Sequence, residues 1–151
     1  MGLKIHGMAQ LRQELADIAE LHGGEIGKKM LKEGTKVVAD TWRRISFERH
    51  ILTGNMYKAV ESSNPKKNQY GRYTVTYPRD YEERTRKGKL VKVRNAEKAF
   101  YNHYGFYNVL FEKYIQGDHW VDDVDNIAEP KSDEKMQKVL DDFIKTVQKG
   151  K

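Results

Sequence analysis

The chain has 151 residues and no cysteine, a length that suits one domain with a substantial core, while the missing thiols exclude a disulfide framework, a thiolate nucleophile and a cysteine-held zinc site. It is 38% hydrophobic and 33% charged, polar for a globular domain but with enough Leu, Val, Ile and aromatic residues to fold. No stretch approaches the ~20 apolar residues that cross a bilayer, and Met1-Gly2-Leu3-Lys4-Ile5-His6-Gly7 lacks the apolar run of a signal peptide, so the expectation is no membrane partner and synthesis in the cytoplasm.

The net charge of +6 is unevenly spread. Residues 66–94 hold ten Lys and Arg against Asp80, Glu82 and Glu83, a local +7, so the remainder sums to −1. Any argument about a polyanionic partner therefore concerns this one segment.

In chain order, residues 8–21 read as an amphipathic helix, with Met8, Leu11, Leu15 and Ile18 at three- and four-residue steps. Gly23-Gly24 kinks it, and a second helical pattern covers residues 25–45 with Ile26, Met30, Val37, Val38, Thr41 and Ile45 on one face. Gly27 and Gly34 inside it each cost about 1 kcal/mol relative to Ala. Thr53-Gly54-Asn55 is turn chemistry, residues 56–62 suit a short strand, and residues 63–68 suit a loop. Residues 70–77 form the clearest strand pattern, ended by Pro78. Residues 79–89 read as a charged loop or hairpin tip turning at Gly88, and residues 90–94 as a partner strand. Residues 100–114 hold seven of the sixteen aromatics and fit either a strand or a short helix. Trp120, Val124, Ile127 and Ala128 fit a helical turn or two, and Ser132 is a favourable N-cap for a last helix carrying Met136, Val139, Leu140, Phe143 and Val147. The predicted class is α+β: a long kinked N-terminal helix and a C-terminal helix packed on a small antiparallel sheet, one domain over residues 1–151.

Catalytic patterns fail their own tests. Gly23-Gly24-Glu25-Ile26-Gly27-Lys28-Lys29 lacks the spacing of a phosphate-binding loop, and no strand pattern precedes it. Asp118, His119, Asp122, Asp123 and Asp125 invite a metal reading, but a calcium loop beginning at Asp123 would have Ala128 where glycine is needed and Pro130 two positions on. The plainer reading is a solvated acidic helix start. The five histidines form neither a zinc-binding helix pair nor a hydrolase triad. The expectation is a protein with no enzymatic activity, cofactor or metal.

The basic segment, interleaved with Tyr70, Tyr73, Tyr77 and Tyr81, suits nucleic acid: cations hold phosphates and tyrosines stack on bases. The plainer alternative is a charged solvent face protecting an edge strand. A third reading sets the loop against an acidic surface of the next copy, built from Asp118, Asp122, Asp123, Asp125 and Glu129. Such a heterologous contact closes into a ring where the rotation allows. The aromatic run is expected both to fill core and to anchor an interface. The expected contact residues, facing protein or DNA, are Arg79, Arg84, Arg86, Lys87, Lys89, Tyr104, Phe106, Tyr107, Trp120, Asp122 and Asp123.

The order of segments resembles a known family. Ile51-Leu52-Thr53-Gly54-Asn55-Met56-Tyr57-Lys58-Ala59-Val60 is similar to its threonine–glycine–x–leucine … serine–isoleucine segment. Tyr107-Asn108-Val109-Leu110-Phe111-Glu112-Lys113-Tyr114 is similar to its tyrosine–alanine … valine–glutamate–phenylalanine–glycine segment, without the glycine after Glu112. Gly117-Asp118-His119-Trp120-Val121 with Ala128 is similar to its proline–phenylalanine–leucine … proline–alanine segment. Ile51-Leu52 stands where the family often has a proline, and residues 79–99 look like an insertion. The family is that of minor tail component, tail-completion and head–tail joining (neck) proteins of long-tailed bacteriophages. The resemblance implies an α+β virion subunit, made in the host cytoplasm. It would form a ring with copies of itself, often sixfold, at the head–tail junction or tail terminus. Its partners would be other tail or head-completion proteins, with sequence-independent contact to DNA in transit.

Overall fold

The computed structural model describes residues 24–50 and 55–149. The predicted helix over residues 8–21, the Gly23 break and the turn at Thr53-Gly54 lie outside them. Helix α1, Glu25–Arg49, runs past the predicted end at residue 45. Its acidic first turn and basic last turn suit the helix dipole. Ala39, Trp42, Ile45 and Ser46 are buried on one side, while Glu25–Lys28, Glu33–Lys36 and Asp40–Arg43 pair at three-residue spacing on the other.

Helix α1 packs along the last helix of the chain, Trp120–Lys149. Two predicted elements are one here, and Ser132 is no N-cap. It lies in the helix interior, 8% exposed. Pro130 inside this helix removes one backbone hydrogen bond. Packing overrides that loss: Trp120, Val124, Ala128 and Ser132 recur every fourth residue and are all buried, one ridge laid against α1 across the proline. Gly34 lets the helices approach, because a Cβ there would lie 2.7 Å from Ser132 Oγ and 3.0 Å from Met136 Cγ.

Between the two helices, Asn55–Lys58 is a helical turn, α2, where a strand was expected, and strand β1 is only Val60–Ser62. The predicted small sheet is four separate antiparallel pairs. Strands β2 (Lys66–Asn68), β3 (Gly71–Tyr73) and β4 (Thr76–Pro78) complete the first unit with β1, β2 occupying part of a predicted loop. Pairs β1–β4 and β2–β3 are one long hairpin interrupted once. Ser62 faces Thr76 and Lys66 faces Tyr73, so three residues on one side oppose two on the other. Pro65, which has no N–H to donate, sits in this bulge, and the predicted continuous strand over 70–77 is broken opposite it. Pro78 ends β4 as expected.

Strands β5 (Tyr81–Arg86) and β6 (Lys89–Arg94) form a second hairpin. Lys87 and Gly88 turn it with φ of 50° and 74°, the left-handed pair that matches strand twist. Asn95 closes its base: its amide donates to Asp80 O at 3.1 Å and its Nδ2 to Arg79 O at 2.9 Å. Asn95 opens α3, Asn95–Tyr104, whose Ala99 belongs to the core. The segment over 79–99 is thus a hairpin followed by the start of α3, which packs into the core.

The predicted ambiguity over residues 100–114 resolves as both types. Helix α3 stops at Gly105, and β7 (Gly105–Asn108) and β8 (Lys113–Gln116) form a third hairpin. The chain then returns to α3, where Asp118 and His119 amides donate to the Asn102 and His103 carbonyls, and α4 (Trp120–Lys149) begins. Gly105 has φ 90° and ψ 176°, a region open essentially to glycine. A Cβ on Gly105 would lie 2.4 Å from Ile115 O, and one on Gly117 2.1 Å from His103 O. Replacing either glycine by Ala is expected to destabilise the protein by at least about 2 kcal/mol, read by urea unfolding; unchanged midpoints would show the hairpin base to be loose.

Candidate assembly surface

Among the described residues the core cluster is Ala39, Trp42, Ile45, Met56, Val60, Ala99, Trp120 and Val124. It leaves the β5–β6 and β7–β8 hairpins projecting, and these carry most of the expected contact residues.

The β7–β8 arm is pinched at its glycine base and apolar at its tip. Asn108 Oδ1 accepts from the Leu110 amide at 3.0 Å, an Asx turn that shapes the tip. Val109, Leu110 and Phe111 there are 78%, 82% and 77% exposed. Tyr107 and Tyr114 face each other across the arm and are exposed, as are Phe100, Tyr101 and Tyr104 on the adjoining α3. Phe106 is half-buried. Tyr114 Oη donates to Tyr104 O at 2.6 Å, tying arm to helix. The expectation that this run would also fill core is corrected, because α3 turns Ala99 and His103 inward and its aromatics outward. Tyr104, Phe106 and Tyr107 share this surface. Val109 and Leu110 join it without having been singled out in the sequence. Their signal was three successive apolar residues between Asn108 and Glu112.

Trp120 is not a surface residue. It is fully buried, edge-on to Trp42 at 4.9 Å and tilted against His50 at 5.2 Å, because α4 starts beneath α1. Asp122 is exposed, whereas Asp123 is held 2.7 Å from Arg49. Arg49 also lies 3.9 Å from Asp118, and His50 Nε2 is 3.3 Å from the same carboxylate without hydrogen-bond alignment. Arg49 thus neutralises part of the acidic patch expected to receive a neighbour.

On the β5–β6 hairpin the expected cations separate into paired and unpaired. Arg79 lies below it, 3.6 Å from Glu61 and over the Tyr77 ring at 5.6 Å. Arg84 Nε donates to Glu82 at 3.1 Å, and Lys98 of α3 donates to the same carboxylate. Lys92 is 3.8 Å from Glu83 and 4.3 Å from the Tyr81 ring centroid. Arg86, Lys87 and Lys89, at the tip, face no carboxylate within salt-bridge range among the described residues. The tip gathers three such cations at one end of the hairpin.

His103, His119 and Asp122 bring three metal-ligand atoms within 4.8 Å of one another. His103 Nδ1 accepts the Val121 amide at 3.2 Å. In the neutral ring the proton therefore sits on Nε2, which points at Asp122 Oδ1 3.8 Å away. A metal on Nε2 would need the opposite tautomer and would cost the Val121 bond, so the arrangement suits a proton better than an ion. A cavity of about 1050 Å³ is an open trough between α1 and the first hairpin, walled by Lys28, Lys32, Arg43, Glu61 and Asn64. Lys28 and Arg43 are already paired along α1, and no nucleophile–base pair converges there among the described residues. No helix among the described residues is long and apolar enough to cross a membrane.

Comparison with protein-family models, with curated proteins and with solved structures finds no match.

Two outcomes follow from this geometry. Lys98 and then Arg84, bonded to Glu82, hold its carboxyl at about 2, far below the usual range. The pair's stabilisation is complete above about pH 4.5 and is lost as pH falls toward 2. Glu82→Gln is expected to lose about 1 kcal/mol at neutral pH and to flatten the acid limb of the stability profile; an unchanged limb would place the acid sensitivity elsewhere. Adding Zn²⁺ is expected to leave the melting temperature unshifted, whereas a rise abolished by His103→Ala would make this cluster a metal site.

Proposed function

We propose that the protein is a structural, non-enzymatic subunit of a tailed-bacteriophage virion that packs into a ring at the head–tail junction or tail terminus, in tail completion or head–tail joining. The observation that carries the assembly reading is the β7–β8 arm, whose apolar tip stands in solvent. Monomeric soluble proteins rarely expose contiguous apolar patches beyond a few hundred Å². Aromatic side chains present about 150–250 Å² each when fully uncovered. Five half-exposed aromatics, with Phe111, Leu110 and Val109, approach the ~800 Å² that one partner contributes to a standard interface. A rigidly based arm with a sticky end suits a neighbour's surface rather than a substrate. The phage station rests on the ordered sequence resemblance around Thr53-Gly54, residues 107–114 and Gly117-Asp118-His119-Trp120. The partners would be copies of itself, six to a ring as the resemblance implies, and other tail or head-completion proteins.

A second reading is favoured by one observation, the unpaired tip Arg86-Lys87-Gly88-Lys89. A cationic tip fits phosphates without reading sequence. It is compatible with the first reading where the hairpins face DNA passing through a ring, and it stands alone as a nucleic-acid-binding domain using residues 66–94.

Leu110→Asp with Phe111→Asp is expected to abolish oligomers seen by light scattering, or incorporation into tails, while leaving the melting temperature within about 2 °C, since both side chains are already solvent-exposed. Unchanged assembly would remove the arm from the interface. A wild-type chain that stays monomeric and never joins particles would overturn the ring.

A further inference from the structure

A second cavity, about 380 Å³, lies between α1 and α4, with Val38 and Ala128 as apolar walls and Asp125, Glu129 and Asp133 at its rim. Ser132 also lines it. That residue is 8% exposed. The three carboxylates load the isolated subunit with like charge. They stand at i, i+4 and i+8 on one helix stripe, where like charges repel, and none has a cation within salt-bridge range among the described residues.

The chain carries the complementary surface elsewhere. Arg86 and Lys89 are directly opposed at the end of the β5–β6 ladder, and Lys87 sits in the turn beyond them. No carboxylate compensates these three, and no salt bridge joins them to the cavity rim within the subunit. We propose that the cationic tip of β5–β6 in one copy docks into the acidic pit on α4 of the next copy. This inference rests on the reading that the protein assembles with itself, and it names the contact that sets the ring's register.

The dimensions fit a broad cationic tip better than a metal ion. Eight residues along a helix rise about 12 Å, so Asp125 and Asp133 cannot both reach an ion whose ligands lie about 2.3–2.6 Å away. Opposed strand residues stand about 5 Å apart, and flexible Arg and Lys side chains fan outward from there to cover the span. Their aliphatic stems can lie on Val38 and Ala128 while the heads meet the rim. Tip and pit are different surfaces, so the contact is heterologous and propagates from copy to copy until it closes.

The test uses charge exchange in the full chain. One variant carries Arg86→Glu, Lys87→Glu and Lys89→Glu; the other carries Asp125→Lys, Glu129→Lys and Asp133→Lys. All six positions are exposed, and circular dichroism and melting confirm that each variant folds. Sedimentation at low salt is expected to show at least about tenfold weaker assembly for each variant alone. Mixing the two restores it, because each supplies the partner charge the other lacks, and combining all six changes in one chain restores it as well. Wild-type rings that both variants form equally well would overturn this contact while leaving the ring reading intact. Wild-type chains that never assemble, alone or on tails, would overturn both. Loss of DNA retention in the tip variant with assembly unchanged would also overturn it and assign the tip to nucleic acid.

Discussion

The burial of Trp120 under α1 is the contact on which the rest of the architecture depends. Its indole meets Trp42 edge-on at 4.9 Å, the favourable geometry for two aromatic quadrupoles. It is also the first residue of α4, so fixing this ring fixes where the last helix begins. The next residue gives its amide to His103 of α3, and the two residues before it cap the α3 carbonyls. One buried side chain thereby locks the C-terminus of α3, the return of the β7–β8 arm and the N-terminus of α4 to α1. The Gly105–Gly117 approach then sets the angle at which the arm leaves.

Among the described residues, eight buried hydrophobic residues form the core cluster, and they are drawn from α1, α2, β1, α3 and the first half of α4, so the β5–β6 and β7–β8 hairpins contribute none. This explains how a sequence that is one-third charged still folds: the charges lie on helix faces and projecting ladders, while the core stays apolar. It also explains why the aromatic residues are poor markers of the interior here. Two tryptophans form the core contact, but the tyrosines and phenylalanines of α3 and the arm face outward.

The helical parts of the fold were readable because their periodicity is long. The turn at Gly88 follows directly from turn chemistry, whereas of the face predicted for α1 only Thr41 and Ile45 are buried, and Ala39, Trp42 and Ser46 join them on the buried side. The single α4 was hidden by Ser132, which looks like a cap in isolation. Only the facing Gly34 reveals that the serine is a close-packing residue. The broken first hairpin was hidden for a related reason, since the bulge depends on which residue faces Pro65, and pairing register is not written in either strand alone. At the candidate surface, residue type identified the basic segment and the aromatic run. Pairing decided which members matter: Arg84 is neutralised by Glu82 and Asp123 by Arg49, leaving Arg86, Lys87 and Lys89 uncompensated.

In the proposed ring, the two projecting hairpins would divide the labour that a closed assembly requires. Apolar contact at the arm tip is non-directional and grows with the area covered, so it supplies affinity but tolerates sliding. Charged contact supplies register, because a shift of one residue places like charges together. A ring needs both, since its closure depends on a fixed rotation between neighbours and not only on adhesion. The hairpin bases meet that need within each subunit. Asn95 clamps one through two hydrogen bonds, the opposed glycines clamp the other, and both clamps are built on α3. A rotation of α3 would therefore move both hairpins together, so in the proposed ring the seat of α3 against Trp120 would couple subunit geometry to ring geometry.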